Sequence, residues 1–313
     1  MAGTGNPGLS HRFEYGILRA VAFLAGLLPL RLAIAAGAAL GWIAWSVLGV
    51  RRRVVMTNLR LAFHEVPDRD LRRIGRRSYM NSGRFMMEFA RQQRLGRDHI
   101  DRHVKVGDPV RLEELRKTHG ALVITGHFGN WELFGIVCSY MLGDVAFLVG
   151  RQSNRLVDGY INRMRSCHGI ELYNRRSAVK GVLTSMKRGG YVCWLSDQDA
   201  GDSGVPVDFF GHPASTPRGA AAFSVKLGVP VVPAVLERHG NGADHILLIG
   251  EPVYPPEGVP VEEAETRVTA EYTKQLEEFI RRRPDLYWWA HRRWKSTGLY
   301  SRGSKTNGKR RET

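Results

Sequence analysis

Cysteine is scarce and unpatterned in this chain of 313 residues. Cys138, Cys167 and Cys193 are odd in number and lack CxxC spacing, which excludes a disulfide framework and a cysteine zinc site. Each is expected to fill apolar space, and a reducing compartment follows. Glycine is plentiful, at 35 residues, yet forms neither GxGxxG nor GxxxxGK[ST], so dinucleotide and P-loop chemistry lack their fingerprints. No GxSxG surrounds Ser139 or Ser153, so a serine nucleophile elbow is missing. No completed magnesium or calcium loop and no internal repeat is visible, and no metal or other cofactor is expected. RNA recognition motifs with interleaved aromatics are absent as well, which argues against a nucleic-acid partner. Negative charge is in short supply: 30 Asp and Glu face 46 Lys and Arg, a formal charge of +16. Such a balance favours anionic partners, and the dominance of Arg suits bidentate phosphate contacts.

Hydrophobic residues make up 43% of the chain, enough for a sizeable globular core. Residues 1–14 are polar and glycine-rich, and from Tyr15 the sequence turns apolar. Residues 32–50 are 19 positions without a charge, just long enough to span a hydrocarbon core as a helix. Trp42 and Trp45 sit towards one end of the run, and Arg51, Arg52 and Arg53 follow it. Residues 1–52 are therefore expected to form an uncleaved membrane anchor, either spanning or lying monotopically in the bilayer. A cleaved signal peptide and a hairpin of two core helices are the alternatives. The larger basic mass follows the anchor, so the remaining domain, residues 53–300, is expected in the cytoplasm. Residues 301–313 are expected to form a basic flexible tail.

Further along, Asp68 is expected to cap a long helix running to about Leu95, with Phe85, Met86 and Phe89 on its apolar face. Apolar runs at residues 121–125, 145–149, 191–196, 229–236 and 245–249 read as strands. Residues 131–141, 155–167, 177–187 and 217–227 read as helices between them. This alternation predicts an α/β fold with a mainly parallel or mixed central sheet flanked by helices.

The stretch ALVITGHFGNWELFG, residues 121–135, organises the chain. A buried strand breaks at Gly126 and Gly129, and a helix resumes from Trp131. His127 thus stands at a strand end and Glu132 in the first turn of the next helix, where ligands gather in open α/β sheets. An imidazole ordinarily titrates near pH 6.5 and accepts a proton at neutral pH, so His127 is the candidate general base. Glu132 is expected to hold its other ring nitrogen, the base-plus-orienter logic of serine hydrolases without the serine. The competing reading is a core histidine bonded to backbone, with Glu132 an ordinary first-turn charge. The glycine on each side of His127 and its strand-end position favour chemistry, and direct transfer to a bound acceptor is the economical mechanism.

Other strand ends offer further candidates. Arg151 follows the second strand, and Arg163 and Arg165 lie on the next helix, suited either to phosphate or to a solvated face. Asp197, Gln198 and Asp199 approach the same sheet edge and suit sugar hydroxyls, a metal or a simple turn. Thr216, Pro217, Arg218 and Gly219 read as an N-cap, a first-turn proline and an anion-holding helix N-terminus.

Together with RVVMTNLRLAF, LSDQDAGDSGVPVDFFGHPASTPRG and the closing PDLYWWAHRRWK, the GHFGNWE segment resembles the late acyltransferases of lipid A biosynthesis, of lauroyl or myristoyl type. The resemblance covers most of the chain. It implies an acyl carrier protein thioester or acyl-CoA as donor and a phosphorylated glycolipid as acceptor, at the bacterial inner membrane. On that pattern His127 deprotonates the acceptor hydroxyl and Glu132 orients it. Backbone amides around Gly129, Asn130 and Trp131, or Arg165, would stabilise the oxyanion. Asp197, Gln198, Thr216, Arg218 and Gly219 would line the acceptor side. Phosphatidylinositol mannoside acyltransferases share much of this pattern. A noncatalytic membrane protein binding RNA or anionic lipid is the rival from another class, and a hydrolase activating water with the same base is a third.

Overall fold

The computed structural model describes residues 8–174 and 177–300, so the tail expected over 301–313 lies outside the described residues. The described chain begins with an apolar hairpin, α1 (Leu9–Leu27) and α2 (Leu30–Ser46), followed by α3 (Arg52–Ala62) and the long α4 (Asp68–Ala90). Next come α5 (Arg97–His103), β1 (Val104–Val106) and α6 (Pro109–Lys117). Strands and helices then alternate through β2 (Ala121–Thr125), α7 (Trp131–Leu142), β3 (Val145–Val149), α8 (Arg155–Ser166), β4 (Glu171–Asn174), α9 (Ala178–Lys187) and β5 (Tyr191–Leu195). A hairpin of β6 (Val205–Phe209) and β7 (His212–Thr216) precedes α10 (Gly219–Leu227), β8 (Val231–Arg238), β9 (His245–Ile249) and α11 (Val261–Arg282).

The main sheet runs β1-β9-β8-β2-β5-β3-β4, parallel throughout except where β9 returns against β8. β2 is central and buried along its whole length. Alternate residues of a strand face opposite sides. Leu122 and Ile124 accordingly join one core while Ala121 and Val123 join the other, and helices cover both. The α/β reading therefore holds, and the sheet is mixed. The short β1 and β4 and the β6–β7 hairpin were not expected. Pro206 and Pro213 mask that hairpin in sequence. Its reversal depends on Phe210 (φ 57°) and Gly211 (φ 76°), both left-handed, as tight hairpin turns demand.

Two local expectations need correction. Asp68 does not cap α4: it lies in the first turn and pairs with Arg60 at 2.6 Å, while Pro67 precedes the helix without a side-chain cap. Cys138 and Cys193 are buried as expected, but Cys167 is exposed after the end of α8.

At the N-terminus the uncharged run is not one helix, because α2 stops at Ser46. Among the described residues no helix is long and apolar enough to cross a membrane, so the spanning form of the expected anchor has no helix to carry it. Instead α2 lies closely along α4. A Cβ on Gly37 or Gly83 would collide with the other's carbonyl, and one on Gly41 with that of Tyr79. Only small residues allow two helix backbones this close. Arg91 and Arg94 donate to the carbonyls of Ala25, Gly26 and Leu28, satisfying groups that the end of α1 leaves without helical partners. The boundary expected after residue 52 falls in the first turn of α3, and both α2 and α3 pack on α4.

Candidate active site

Strand register builds the site. Thr125 and Leu195 are direct partners in the parallel pair β2–β5. Parallel strands advance in step, so residues two positions further on, His127 and Asp197, emerge side by side. The Asp197 carboxylate accepts from the His127 amide at 2.8 Å through Oδ2, and its Oδ1 lies 2.8 Å from the ring Nδ1. Only 2% of the Asp197 side chain is exposed, against 18% of His127. Burial alone would push this carboxyl up. The charge and hydrogen bonds of His127, aided by His291, hold it well below the usual carboxylate range.

A carboxylate only accepts hydrogen bonds, so Nδ1 carries the ring hydrogen. On the far side of the ring, Gln198 Nε2 lies 3.2 Å from His127 Nε2. An amide nitrogen only donates, so Nε2 presents a lone pair. Asp197 and Gln198 together select one tautomer, with its basic nitrogen turned away from the buried acid.

Glu132 does not hold the imidazole, contrary to the expectation above. It forms a two-point pair with Arg165 of α8, one bond at 2.8 Å from Nε and a second from the other guanidinium nitrogen. The orienting acid is Asp197, which the sequence suggested for the acceptor side. Gly129 sits at φ 59°, where a Cβ would strike the Leu236 carbonyl, so glycine is required for the strand-to-helix turn. The Gly129 and Asn130 amides donate to the carbonyls of Leu286 (3.0 Å) and Leu236 (3.1 Å), which removes both from the expected oxyanion role. Asn130 caps α7 through Leu133 N at 3.0 Å and donates at 2.8 Å to the buried Glu88. Glu88 in turn pairs with Arg238, whose Nη1 lies at 3.0 Å.

His127, Glu132, Arg165, Gln198 and Asp199 face one cavity of about 630 Å³. Its remaining walls are mostly apolar, among them Phe85, Phe89, Trp131, Phe147 and Ile161. The Trp131 ring lies 3.9 Å from Phe85 and 5.0 Å from His127, centroid to centroid. Arg151 is exposed beside the lining residues Gly150 and Gln152, and Arg163 is exposed on α8. The Thr216–Gly219 turn is built differently from the expectation. Thr216 ends β7, fully buried, and is bonded by Arg293, while Arg218 occupies the N-cap position without a side-chain cap. Arg218 pairs with Glu265 and Gly219 packs on the Trp194 ring, so of these four only Pro217 lines the cavity. Among the described residues no three His, Cys, Asp or Glu side chains converge as metal ligands.

One further residue went unnoticed in sequence. His291 brings its ring 5.1 Å from that of His127. Burial lowers its pKa to about 4, outweighing the pull of Asp197, with His127, Arg51 and Arg293 pushing the same way as burial. Its segment is stitched over the site: Trp288 N donates to the His127 carbonyl at 2.9 Å, and Asn58 donates to the Trp289 carbonyl at 2.7 Å. The signal available beforehand was the histidine inside PDLYWWAHRRWK.

Residues 9–296 match the profile of a family described as bacterial lipid A biosynthesis acyltransferase. The chain is 27% identical over 283 residues to the lipid A biosynthesis lauroyltransferase of Escherichia coli (strain K12), covering 88% of this chain and 89% of that one. It is 24% identical to the lipid A biosynthesis myristoyltransferase of the same strain, over 76% of this chain and 73% of that one. It is also 26% identical to a phosphatidylinositol mannoside acyltransferase of Mycobacterium tuberculosis (strain CDC 1551 / Oshkosh), over 63% of this chain and 60% of that one.

Proposed function

The chain belongs to the bacterial lipid A biosynthesis acyltransferase family, and from that premise we propose that it moves a fatty acyl group from an acyl carrier protein thioester, or from acyl-CoA, to a hydroxyl of a phosphorylated lipid A precursor. It is an acyltransferase, which sets aside the noncatalytic binding protein. The observation that carries the reading is the His127 lone pair facing an apolar-walled cavity of about 630 Å³.

In this mechanism the acceptor hydroxyl displaces Gln198 from Nε2 and gives up its proton there. Its oxygen attacks the thioester carbonyl, and Asp197 stabilises the imidazolium that forms. Arg165, held by Glu132, faces the developing oxyanion. Collapse breaks the C–S bond, the thiolate takes the proton back from Nε2, and the products are an ester and a free thiol. The acyl chain lies along Phe85, Phe89 and Ile161.

A lipid acceptor calls for an enzyme at the bilayer. The exposed apolar side chains of α1 and α2, among them Phe13, Phe23, Leu24, Leu32, Leu40 and Trp42, support monotopic attachment. We place the catalytic domain on the cytoplasmic side of the bacterial inner membrane. Phosphatidylinositol mannoside is the alternative acceptor, on the strength of the mycobacterial relative.

The test incubates the full chain in membranes with labelled acyl carrier protein thioester or acyl-CoA and each candidate lipid, read by mass spectrometry. Acylation of the lipid A precursor, lost in His127→Ala, is expected. Thioester consumption without acceptor would indicate a hydrolase, and unchanged turnover in His127→Ala would remove the mechanism.

A further inference from the structure

A second cavity, of about 580 Å³, opens between α2, α3 and α4, remote from His127 in its lining. α4 supplies Arg69, Arg72, Arg73 and Arg76, whose spacing of three and four residues puts them on neighbouring faces of one helix. α3 adds Arg52, and the end of α2 adds Trp45 and Ser46. Five guanidinium groups therefore share a groove with a single lining acid, Asp70.

Their charges are poorly compensated from within. Arg69 lies 3.8 Å from Asp70, and Arg72 lies 4.0 Å from Asp68, which Arg60 already engages. Among the described residues no carboxylate comes within ion-pair reach of Arg73 or Arg76. Arg52 sits 5.2 Å over the Trp45 ring, and its Nε is buried without a hydrogen-bond partner. Like charges gathered this closely repel, and an anion in the groove relieves that repulsion.

We infer that this groove seats the phosphate of an anionic membrane lipid headgroup. The inference rests on the membrane attachment proposed above and adds the lipid class that the attachment selects. Guanidinium forks match phosphate oxygens two at a time. What singles out a lipid is the groove's rim. Trp42, Ile43, Val47, Leu48 and Val50 are exposed along the same stretch that provides Trp45 and Ser46. Tryptophan beside basic residues at an apolar edge marks the headgroup depth of a bilayer. A soluble acidic protein would meet the arginines but leave that rim uncovered, whereas a lipid leaflet covers both. α4 also carries the consequence to the reaction. From Arg76 it rises to Phe85, about 13 Å away at ~1.5 Å per residue, and Phe85 lines the catalytic cavity. A headgroup held at one end of α4 thus fixes the cavity relative to the leaflet that holds the acceptor.

The experiment measures partition of the full chain onto phosphatidylcholine vesicles, with and without phosphatidylglycerol, by flotation. Each basic residue near an anionic surface contributes roughly a fivefold gain in partition. Wild type should favour the phosphatidylglycerol vesicles, and the exposed-residue variant Arg73→Gln/Arg76→Gln should lose about thirtyfold there. Arg73→Lys/Arg76→Lys should recover only part of it, because an ammonium keeps the charge but not the fork. Lys180→Gln/Lys187→Gln, an equal loss of charge on α9, should change partition by only a few-fold. Equal losses in the two Gln pairs would mean a diffuse field and overturn the site. Binding to phosphatidylcholine with no gain from phosphatidylglycerol overturns the site and leaves the attachment standing. Failure to float with either vesicle removes the attachment and the site with it. Slower acyl transfer from the carrier protein in detergent, with vesicle partition unchanged, would assign the groove to that acidic protein instead.

Discussion

Asp197 grips His127 twice, through the backbone amide and through ring Nδ1, both at 2.8 Å. The two contacts fix the ring's position and its tautomer at once. Asp197→Asn preserves the shape but offers an amide that can donate to Nδ1. The ring hydrogen would then move to Nε2 and the basic lone pair would be lost. We expect kcat to fall by a factor on the order of 10³, with KM little changed. A change in KM alone, measured by steady-state acylation, would mean that Asp197 binds substrate rather than orients the base.

Glu132 belongs to a different pair, with Arg165. Two double-mutant cycles separate the roles. Glu132→Gln and Arg165→Gln should each cost roughly a hundredfold in kcat/KM, and the double variant little more than either single. Glu132→Gln combined with Asp197→Asn should come close to multiplicative. If the coupling instead joined Glu132 to Asp197, a single acid–base unit would have to replace the two described above.

Stability should fall on mild acidification. His291 and His99, each lowered to about 4 chiefly by burial, stay neutral in the folded chain. The unfolded chain takes up those protons near pH 6.5. Their contribution is therefore complete above about 6.5 and declines as pH falls from there towards 4. Asp197 acts lower. Its depressed pKa contributes stability that is intact above the ordinary carboxylate range and lost as pH falls through its own value. His291→Gln should reduce the loss of unfolding free energy between about pH 7 and pH 5 by about 1 to 2 kcal/mol, read from urea midpoints. An unaltered slope would mean that His291 is not buried as a neutral ring.

The central strands, the turn at Gly129 and the histidine were legible because they depend on local pattern: an apolar run, two glycines and a helix start. The partner of His127 was not legible, because it depends on the register of β2 against β5. Both Glu132 and Asp197 lie near the right sheet edge in sequence. Only the pairing of Thr125 with Leu195 decides which carboxylate meets the ring. The same limit applies to Thr216. Its TPRG context signals an N-cap, yet Arg293, distant in sequence, claims the hydroxyl. The N-terminal run left spanning and monotopic forms open for another reason. Its composition fits a bilayer span, but Gly37 and Gly41 suit it equally to lying against Gly83 and Tyr79 of α4.

Beneath the turn that carries His127, Glu88 and Arg238 form an ion pair exposed by no more than 2% on either side. Glu88 also holds the Asn130 amide that caps α7. Glu88→Ala leaves a guanidinium buried without its counter-ion and should cost about 3–5 kcal/mol in urea unfolding. Replacing both partners, Glu88→Met with Arg238→Met, should recover most of that loss. A double variant as unstable as Glu88→Ala would shift the emphasis from the uncompensated charge to the cap on Asn130.

Ile161 stands on α8 in the wall of the cavity that His127 faces, half-buried and apolar, so its size can change without removing any member of the His127 network. If the fatty chain lies along this wall, the wall sets how many methylenes are sheltered. Ile161→Trp removes room, and each methylene turned back into water loses about 0.8 kcal/mol, or roughly fourfold in kcat/KM. Long-chain thioesters should suffer that penalty and short ones should not, so the ratio of the two specificity constants moves. Ile161→Ala should move it the opposite way. A ratio that stays constant across both substitutions, while overall rates change, would mean that the chain leaves the cavity by another route.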